Sequence, residues 1–256
     1  MRNLLFKAAF CGEAFHGWQM QANAVTVQGE LTNAWERLTG EHPNIIGCSR
    51  TDAGVHAREY YFSVKTDATV PVDRFPAALT SAKLPPAIAL YECREVPQGF
   101  NARFDCEKKE YEYRIAVSDV QSPFDVGRAF WCRRQLDAER MNAAAGTFVG
   151  THDFSAFCAA DTDVQSKVRT IYSAEVTRTG PYVCFTVCGD GFLYNMVRIM
   201  AGTLLYVSDG KIAVEDVPSI IESKDRTAAG LTMPPDGLYL NRVVMKQSAF
   251  TEDEKE

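Results

Sequence analysis

The sequence has no uncharged apolar run of about 18 residues, the length that a membrane-spanning helix needs. Its N-terminal apolar stretch is too short for a secretion signal, because Lys7 interrupts it. We therefore expect a cytoplasmic protein without a membrane partner. The composition, 46% hydrophobic and 23% charged, is typical of a globular chain and excludes a disordered or collagen-like one.

Patterns that bind metals or nucleotides are missing as well. The eight cysteines include no Cys-x-x-Cys pair, and the four histidines lie far apart, so neither type offers zinc ligands at the usual spacing. Most cysteines stand in apolar runs, which favours free thiols in a reducing compartment. The chain has no Walker loop and no G-x-G-x-x-G turn. The sequence thus predicts no metal, no disulfide and no cofactor.

The net charge of −6 is unusual for a protein that binds nucleic acid. Half of it, however, lies in the last six residues, 251–256, which we expect to form an acidic mobile tail. The nearly neutral remainder can still form a basic groove if its arginine and lysine side chains converge on one face. Charge therefore excludes neither a nucleic acid nor a small molecule as the substrate.

Hydrophobic periodicity predicts helices and strands in alternation. Val27, Leu31, Trp35 and Leu38 recur at helical spacing, and Gly40 follows where a helix would end. Further helices are predicted at 73–82, from 137 onward, along the apolar stripe of 193–204 and at 214–223. Strands are predicted at 4–10, 45–48, 60–65, 88–96, 111–117, 129–133, 168–178, 182–189 and 238–245.

This order of elements predicts an α+β fold with mainly antiparallel sheets, in two similar halves. The segment 118–127 is rich in Asp, Ser, Pro and Gly, and such a composition is typical of a boundary. We therefore expect an N-terminal subdomain over 1–118 and a C-terminal subdomain over 119–250, followed by the tail.

The octet RTDAGVHA, residues 50–57, places several charged side chains around one tight turn. An Asp-x-Gly sequence after a strand is typical of a turn in which Asp caps backbone N–H groups and Gly takes positive φ. A chemical interpretation stands beside this structural one. Cations such as Arg50 and His56 near the Asp52 carboxylate would keep it ionised, ready to act as a nucleophile or a base.

The octet resembles the signature of the tRNA pseudouridine synthase A family, and seven more segments match that family in order. These are FHGWQ (15–19), FNARF (100–104), KEYEY (109–113), HDFSAF (152–157), GFLYNMVR (191–198), DRT (225–227) and GLYL (237–240). Together they span nearly the whole chain. Cys11 and Tyr60 stand where the family commonly has Asp and Gln, and we expect both to line the path of the RNA.

The resemblance implies the conversion of uridine to pseudouridine in tRNA, at positions 38, 39 and 40 of the anticodon arm. In this isomerisation the bond between ribose C1′ and uracil N1 breaks, the base turns, and C5 is joined to C1′. No cofactor takes part. The resemblance also implies a homodimer, in which each subunit has a cleft between two halves of the pseudouridine synthase fold.

Three residues carry the chemistry by this resemblance. Asp52 is the essential carboxylate, and Arg198 pairs with it. Tyr111 stacks on the uracil and is a candidate acceptor of the C5 proton. From the residues alone, Arg198 also fits a solvated arginine outside the apolar stripe of its helix, and Tyr111 fits a core aromatic on a strand. We expect Tyr113, with the same side-chain direction as Tyr111, in the core.

Basic side chains are expected to contact the RNA. Arg50 would fill the space left by the flipped uracil, or bind the flanking phosphate. The other candidates for backbone contacts are His56, Arg58, Arg103, Lys108, Lys109, Arg133, Arg134, Lys167 and Arg169. Phosphate contacts position the RNA without reading its sequence, and they weaken as salt is added. A solvated surface is the alternative interpretation of these residues.

Two other functions compete with the isomerase. One is an RNA-binding or RNA-folding protein that has the same fold without the reaction. The other is an aspartate-dependent nucleoside hydrolase, which would need an acid partner or a metal and would release free uracil. Intact Asp52, Tyr111 and Arg198 argue against the first alternative.

Overall fold

The computed structural model describes residues 1–159 and 164–250. The acidic tail expected at 251–256 lies outside the described residues. The chain divides into two compact units. The first contains Met1–Glu107 and the C-terminal segment from Leu240 onward, and the second contains Lys108–Tyr239.

The first unit is an antiparallel sheet with two helices. Its strands are β1 (Arg2–Phe10), β2 (Ile46–Gly47), β3 (His56–Thr66) and β4 (Ile88–Val96), and its helices are α1 (Val27–Thr39) and α2 (Phe75–Ser81). Strand β1 pairs with β3 on one side and with β4 on the other, and β2 extends the far edge of β3. Helix α1 ends as predicted, because Gly40 takes the left-handed conformation that closes a helix.

An aromatic cluster forms the core of this unit. The ring of Phe6 on β1 stacks on Phe62 of β3 with 4.8 Å between centroids, and it meets Trp35 of α1 and Phe75 of α2 edge-on. Both helices are therefore packed on the same face of the sheet as Phe6 and Phe62. This packing makes the sheet a rigid support for the loops at the ends of its strands.

The second unit is also an antiparallel sheet with helices. Its strands are β5 (Cys106–Val117), β6 (Phe130–Cys132), β7 (Gly150–Asp153), β8 (Val168–Thr179) and β9 (Tyr182–Gly189), and its helices are α3 (Ala138–Gly146), α4 (Met196–Ser208) and α5 (Val217–Ser223). The strand order is β5-β9-β8-β7, with β6 parallel to β5. Helix α3 packs against β8 and α4.

The last strand, β10 (Leu238–Met245), returns the chain to the first unit, where it lies beside β3. There the N–H of Val243 donates to the Glu59 carboxylate at 3.0 Å. The units therefore differ in their limits from the subdomains expected at 1–118 and 119–250. The segment 118–127 connects β5 to β6 inside the second unit. Its Pro and Gly indicate a turn, but they carry no information on which elements pack together.

The α+β class with mainly antiparallel strands is confirmed in both units. The strands predicted at 88–96, 182–189 and 238–245 agree with β4, β9 and β10 residue for residue. The helices predicted at 73–82 and 214–223 are each a short 3-10 turn followed by an α-helix with proline in its first turn. In the described ranges, no helix has the length and hydropathy that crossing a bilayer requires.

Candidate functional site

Asp52 lies on a tight turn between β2 and β3 in the first unit. Its carbonyl accepts a hydrogen bond from the N–H of Val55 at 3.2 Å. Gly54, at the third position of this turn, has φ of +80°, a conformation that disfavours any residue with a side chain. The Asp-x-Gly sequence thus forms the turn that it predicts, and the Asp52 side chain is half-buried on it.

The N-terminal segment holds this turn by direct contact between main chains. Gly17, with φ of +89°, approaches so closely that a Cβ atom on it would lie 2.6 Å from the carbonyl oxygen of Thr51. A Cβ on Gly12 would lie 2.1 Å from the carbonyl oxygen of Val55. The N–H of Trp18 donates to the Thr51 carbonyl at 3.1 Å. These contacts fix the backbone on both sides of Asp52, which sequence reasoning missed although it singled out the FHGWQ segment.

Tyr60 is fully buried, so the expectation that it lines the RNA path is wrong. Its ring stacks on Trp18 with 4.2 Å between centroids, and its hydroxyl donates to the carbonyl of Ser49, three residues before Asp52. Gly47 makes room for this pair, since a Cβ there would lie 2.2 Å from the Tyr60 hydroxyl oxygen. Tyr60 therefore supports the octet from inside the unit. Cys11, the other residue that differs from the family pattern, is half-buried and precedes a 3-10 turn.

His56 is 2% exposed, and its Nδ1 accepts the N–H of Gly12 at 3.1 Å. The phosphate contact expected of His56 does not fit this buried position, and we correct it. The physical reason is the N-terminal segment, because the main chain of Gly12 lies against the Val55 carbonyl and covers His56. A β-bulge follows between Ala57 and Tyr60, where three steps along β3 match two along β1.

Several predicted RNA contacts are exposed in the first unit. Arg50 precedes the turn of Asp52 and is exposed to solvent. Arg58 is exposed at the bulge, where its guanidinium donates to the Asn241 side-chain oxygen at 2.7 Å. Arg103 is exposed on the turn that precedes β5. These three side chains offer positive charge on the surface of the unit that carries Asp52.

The basic candidates of the second unit are held by local contacts. Lys109 is half-buried on β5, opposite Gly189 of β9. Arg169 is half-buried and donates to the carbonyl oxygens of Ser166 and Val168, at 2.9 and 2.6 Å. The other members are Lys108 over the ring of Tyr172, half-buried Lys167, exposed Arg133 near the ring of Trp131, and Arg134 in an ion pair with Asp209.

Arg198 lies in the first turn of α4, with its guanidinium held on two sides. Nε donates to the Met233 carbonyl at 2.6 Å, and one terminal nitrogen donates to the Asn195 side-chain oxygen at 2.7 Å. Asn195 precedes the helix with φ of +62°. The side chain is thus half-buried and oriented, unlike the solvated arginine of the alternative interpretation. The residues of the predicted apolar stripe, Val197, Met200 and Leu204, are buried, and so are the others from Ile199 to Leu205.

Two glycines bring α4 into main-chain contact with the segment that holds Arg198. A Cβ on Gly202 would lie 1.9 Å from the carbonyl oxygen of Leu231, and one on Gly230 would lie 2.4 Å from the Gly202 carbonyl carbon. The N–H of Met233 donates to the Arg198 carbonyl at 3.2 Å, just beyond this approach. The glycines therefore determine how near Met233 comes to the guanidinium.

We expect Gly202→Ala to destabilise the protein by about 1–3 kcal/mol, because the added methyl group must push the segment around Leu231 away from α4. The melting temperature should fall by several degrees in a thermal unfolding experiment followed by circular dichroism. Gly146→Ala is the matched control, because a Cβ at this position in α3 meets nothing within 4 Å. Equal melting temperatures for the two variants would contradict the close approach.

Tyr111 and Tyr113 lie on β5 with different surroundings. Tyr111 is 6% exposed, as the alternative interpretation of a core aromatic expects, and it meets Phe192 edge-on with 5.1 Å between ring centroids. Tyr113 is fully buried, as predicted, and its hydroxyl donates to the Pro234 carbonyl at 2.8 Å. Burial raises the pKa of Tyr113 and outweighs the opposite effect of the Arg198 charge. Tyr113 therefore keeps its proton and serves as a donor next to the segment that holds Arg198.

Asp52 and Arg50 thus belong to the first unit, and Tyr111 and Arg198 to the second. Among residues 1–159 and 164–250, no three His, Cys, Asp or Glu side chains come together as a set that could hold a metal ion. All eight cysteines lie in the described residues, and none of them forms a disulfide. The first unit offers a carboxylate on a clamped turn, and the second offers an oriented guanidinium. Each group is suited to a part in nucleophilic, base or electrostatic catalysis.

Comparison with known proteins gives consistent results. Residues 144–244 match a family described as tRNA pseudouridine synthase. A tRNA pseudouridine synthase A of Caldicellulosiruptor bescii is 42% identical over 244 residues, covering 95% of this chain and all of the relative. Proteins of the same name from Acetivibrio thermocellus and Staphylococcus aureus are 44% and 38% identical, covering 95% and 98% of this chain and 99% and 94% of the relatives.

A solved Cbf5-Nop10-Gar1 complex is 13% identical and aligns with a TM-score of 0.34 over 96% of this chain and 59% of the other, too low to support an argument. The sequence relatives need no such support. Identity near 40% extends over nearly the full length of both proteins. The similarity therefore covers the whole chain and is not limited to the motifs. This chain belongs to the tRNA pseudouridine synthase A family.

Proposed function

We propose that this chain converts uridine to pseudouridine in tRNA with Asp52 as the catalytic carboxylate. Membership of the family carries the proposal, since relatives that match from end to end are named for this reaction. The chain is accordingly an isomerase that acts on tRNA. The target uridines are those at positions 38, 39 and 40 of the anticodon arm, by resemblance to the family. Mapping pseudouridine in treated transcripts would test these positions.

The isomerisation needs no external group. The bond from C1′ to N1 breaks, C5 forms the new bond to C1′, the proton on C5 leaves, and N1 gains a proton. Asp52 either attacks C1′ as a nucleophile or removes the proton from C2′, and both routes need an ionised carboxylate within bonding distance of the ribose. The clamp of Gly17 and Trp18 on Thr51 supports this role, because a fixed backbone limits the positions that the Asp52 carboxylate can take.

Arg198 is the proposed partner of Asp52. A guanidinium is planar and permanently charged, so it can favour the ionised carboxylate and orient it at the same time. The contacts of Arg198 with Asn195 and Met233 support this role, since they fix the plane of the guanidinium in advance. Tyr111, with its flat ring supported edge-on by Phe192, is proposed to stack on the uracil and to accept the C5 proton.

A stacked uracil has to leave the RNA helix before it can meet a carboxylate, at a cost of a few kcal/mol. We propose that Arg50, which is exposed beside Asp52, stabilises the RNA from which the base has turned. Arg58 and Arg103 of the first unit, with Lys109 and Arg169 of the second, are the proposed phosphate contacts. His56 is left out because it is buried.

The proposed assembly is a homodimer in the cytoplasm. Val120, Phe124 and Val126 are exposed on the segment 118–127, and such apolar surface is typical of contacts between proteins. Eight cysteines without a disulfide among them suit a reducing compartment. Sedimentation equilibrium tests the dimer, and the mass of a single chain at every protein concentration would contradict it. Subcellular fractionation tests the location.

Release of label from tRNA tritiated at uracil C5 tests the reaction, because C5 loses its proton when it bonds to C1′. We expect the wild-type protein to release tritium into water while the RNA strand stays intact and no free uracil appears. Free uracil would indicate a hydrolase. Binding of tRNA without any release would indicate an RNA-binding protein that lacks the reaction, and either result would overturn the proposal.

A further inference from the structure

Phe104 is an aromatic side chain that the proposed chemistry does not use. It is 69% exposed at the tip of the turn 101–105, although aromatic rings usually contribute to cores. Its neighbour Arg103 is also exposed, and the Arg103 guanidinium lies 5.8 Å from the centre of the Phe104 ring. An exposed ring beside a cation is the combination that single-stranded nucleic acids bind.

The turn that carries Phe104 is held by hydrogen bonds at its base. The Asn101 side-chain oxygen accepts the N–H of Arg103 at 3.0 Å, and the Asp105 carboxylate accepts the N–H of Asn101 at 2.7 Å. Lys246 donates from its ammonium group to the Phe104 carbonyl at 2.9 Å. The ring is therefore presented by a pre-ordered backbone, which reduces the entropy lost when it binds a partner.

Phe104 lies far from the reacting end of the first unit. The N–H of Ala102 donates to the Ser63 hydroxyl at 3.1 Å, and Ser63 stands near the end of β3. Asp52 precedes the other end of β3, which starts at His56. Seven residues separate His56 from Ser63, a distance of about 23 Å along an extended strand. Phe104 is thus placed for a contact with the RNA at the opposite end of β3 from Asp52.

We propose that Phe104 is a stacking platform for an unpaired nucleobase of the tRNA, with Arg103 on the adjacent phosphate. The inference rests on the proposed function and adds a binding site to it. The chemistry of the surface favours RNA over protein. Phe104 stands among polar and charged neighbours, whereas a protein contact needs a larger apolar area. The segment 118–127 carries three exposed apolar side chains, Val120, Phe124 and Val126, whereas Phe104 is the one exposed large apolar side chain of its turn.

Tryptophan at position 104 gives a direct readout, because a base that stacks on an indole quenches its fluorescence. We expect emission of Phe104→Trp to fall when an unmodified tRNA transcript is added. Tyr91→Trp is the matched control, since Tyr91 is 60% exposed on β4 of the same unit, and its emission should stay unchanged. Equal quenching of both variants, or none at position 104, would overturn the proposal. So would emission from position 104 that changes with protein concentration without RNA, which indicates a second copy as the partner.

Affinity measurements distinguish stacking from charge. Phe104→Ala should weaken tRNA binding about 5- to 100-fold at constant salt and leave the slope of log Kd against log salt unchanged. Arg103→Ala should lower that slope by about 0.7–0.9, the value for one phosphate contact. Unchanged affinity in Phe104→Ala would contradict the site. None of these readouts needs turnover, so their failure is distinct from absence of tritium release by the wild type, which would contradict the proposed function.

Discussion

Asp52→Asn is expected to lower the turnover of tritium-labelled tRNA about 10³-fold or more, with tRNA affinity within a few-fold of the wild type. The substitution removes the negative charge and keeps the shape, so neither attack on C1′ nor removal of the C2′ proton remains. The clamp on Thr51 and Val55 uses backbone groups and is unaffected. The measurement is single-turnover release of label with saturating protein.

Asp73→Asn is the matched control for this variant, because Asp73 is a highly exposed carboxylate of the same unit with no part in the proposed site. Its turnover should equal that of the wild type. Asp52→Glu keeps the charge but moves it by one methylene, and its turnover should also fall strongly if position matters as well as charge. Near-normal turnover of Asp52→Asn would remove this residue from the mechanism.

Arg198→Ala is expected to lower turnover about 10²-fold, the usual effect of losing one preorganised charged donor. Arg198→Lys should not restore it, because an ammonium group cannot reproduce the planar fork of a guanidinium. The profile of activity against pH supplies a separate readout. Loss of a neighbouring cation raises the pKa of a carboxylate, so the acid limb of Arg198→Ala should move to higher pH.

Arg226→Ala controls for the loss of a half-buried guanidinium in the same unit. Arg226 donates to the Gly230 carbonyl at 2.9 Å and to the Thr232 hydroxyl at 3.0 Å, so this variant also loses contacts to the segment near Met233. Its melting temperature should fall at least as far as that of Arg198→Ala, but its acid limb should stay in place. An unshifted acid limb in Arg198→Ala would show that Arg198 acts on structure alone.

Local sequence predicted most elements because their signals are short-ranged. Apolar spacing over 27–38 and a left-handed Gly40 define α1 without reference to the rest of the fold. Tyr182–Gly189 alternates buried and half-buried residues as a strand should. The stripe on α4 is buried as predicted, but most of the rest of the helix is buried as well. A helix of this kind carries apolar residues all round, so its own pattern does not show which elements it packs against.

The sequence indicated which residues are candidates for the chemistry, but it did not indicate which residues hold them in place. Asp52 and Arg198 were found through motifs, which record residue types at set spacings. His56 was misjudged, because its burial depends on the contact of the distant Gly12 with Val55 and His56. Tyr60 was misjudged for a similar reason, since its place in the core depends on Trp18 and Gly47 from other segments.

Periodicity and motif order within the chain were enough to predict the α+β class, the family and the residues that we propose for the chemistry. Tertiary structure alone decided that β10 returns to the first unit, that Gly12 and Gly17 clamp the turn of Asp52, and that Gly202 meets Leu231. The physical reason is that packing joins groups far apart in the chain. A glycine's need for space is set by the atom facing it, which its own sequence neighbourhood does not specify.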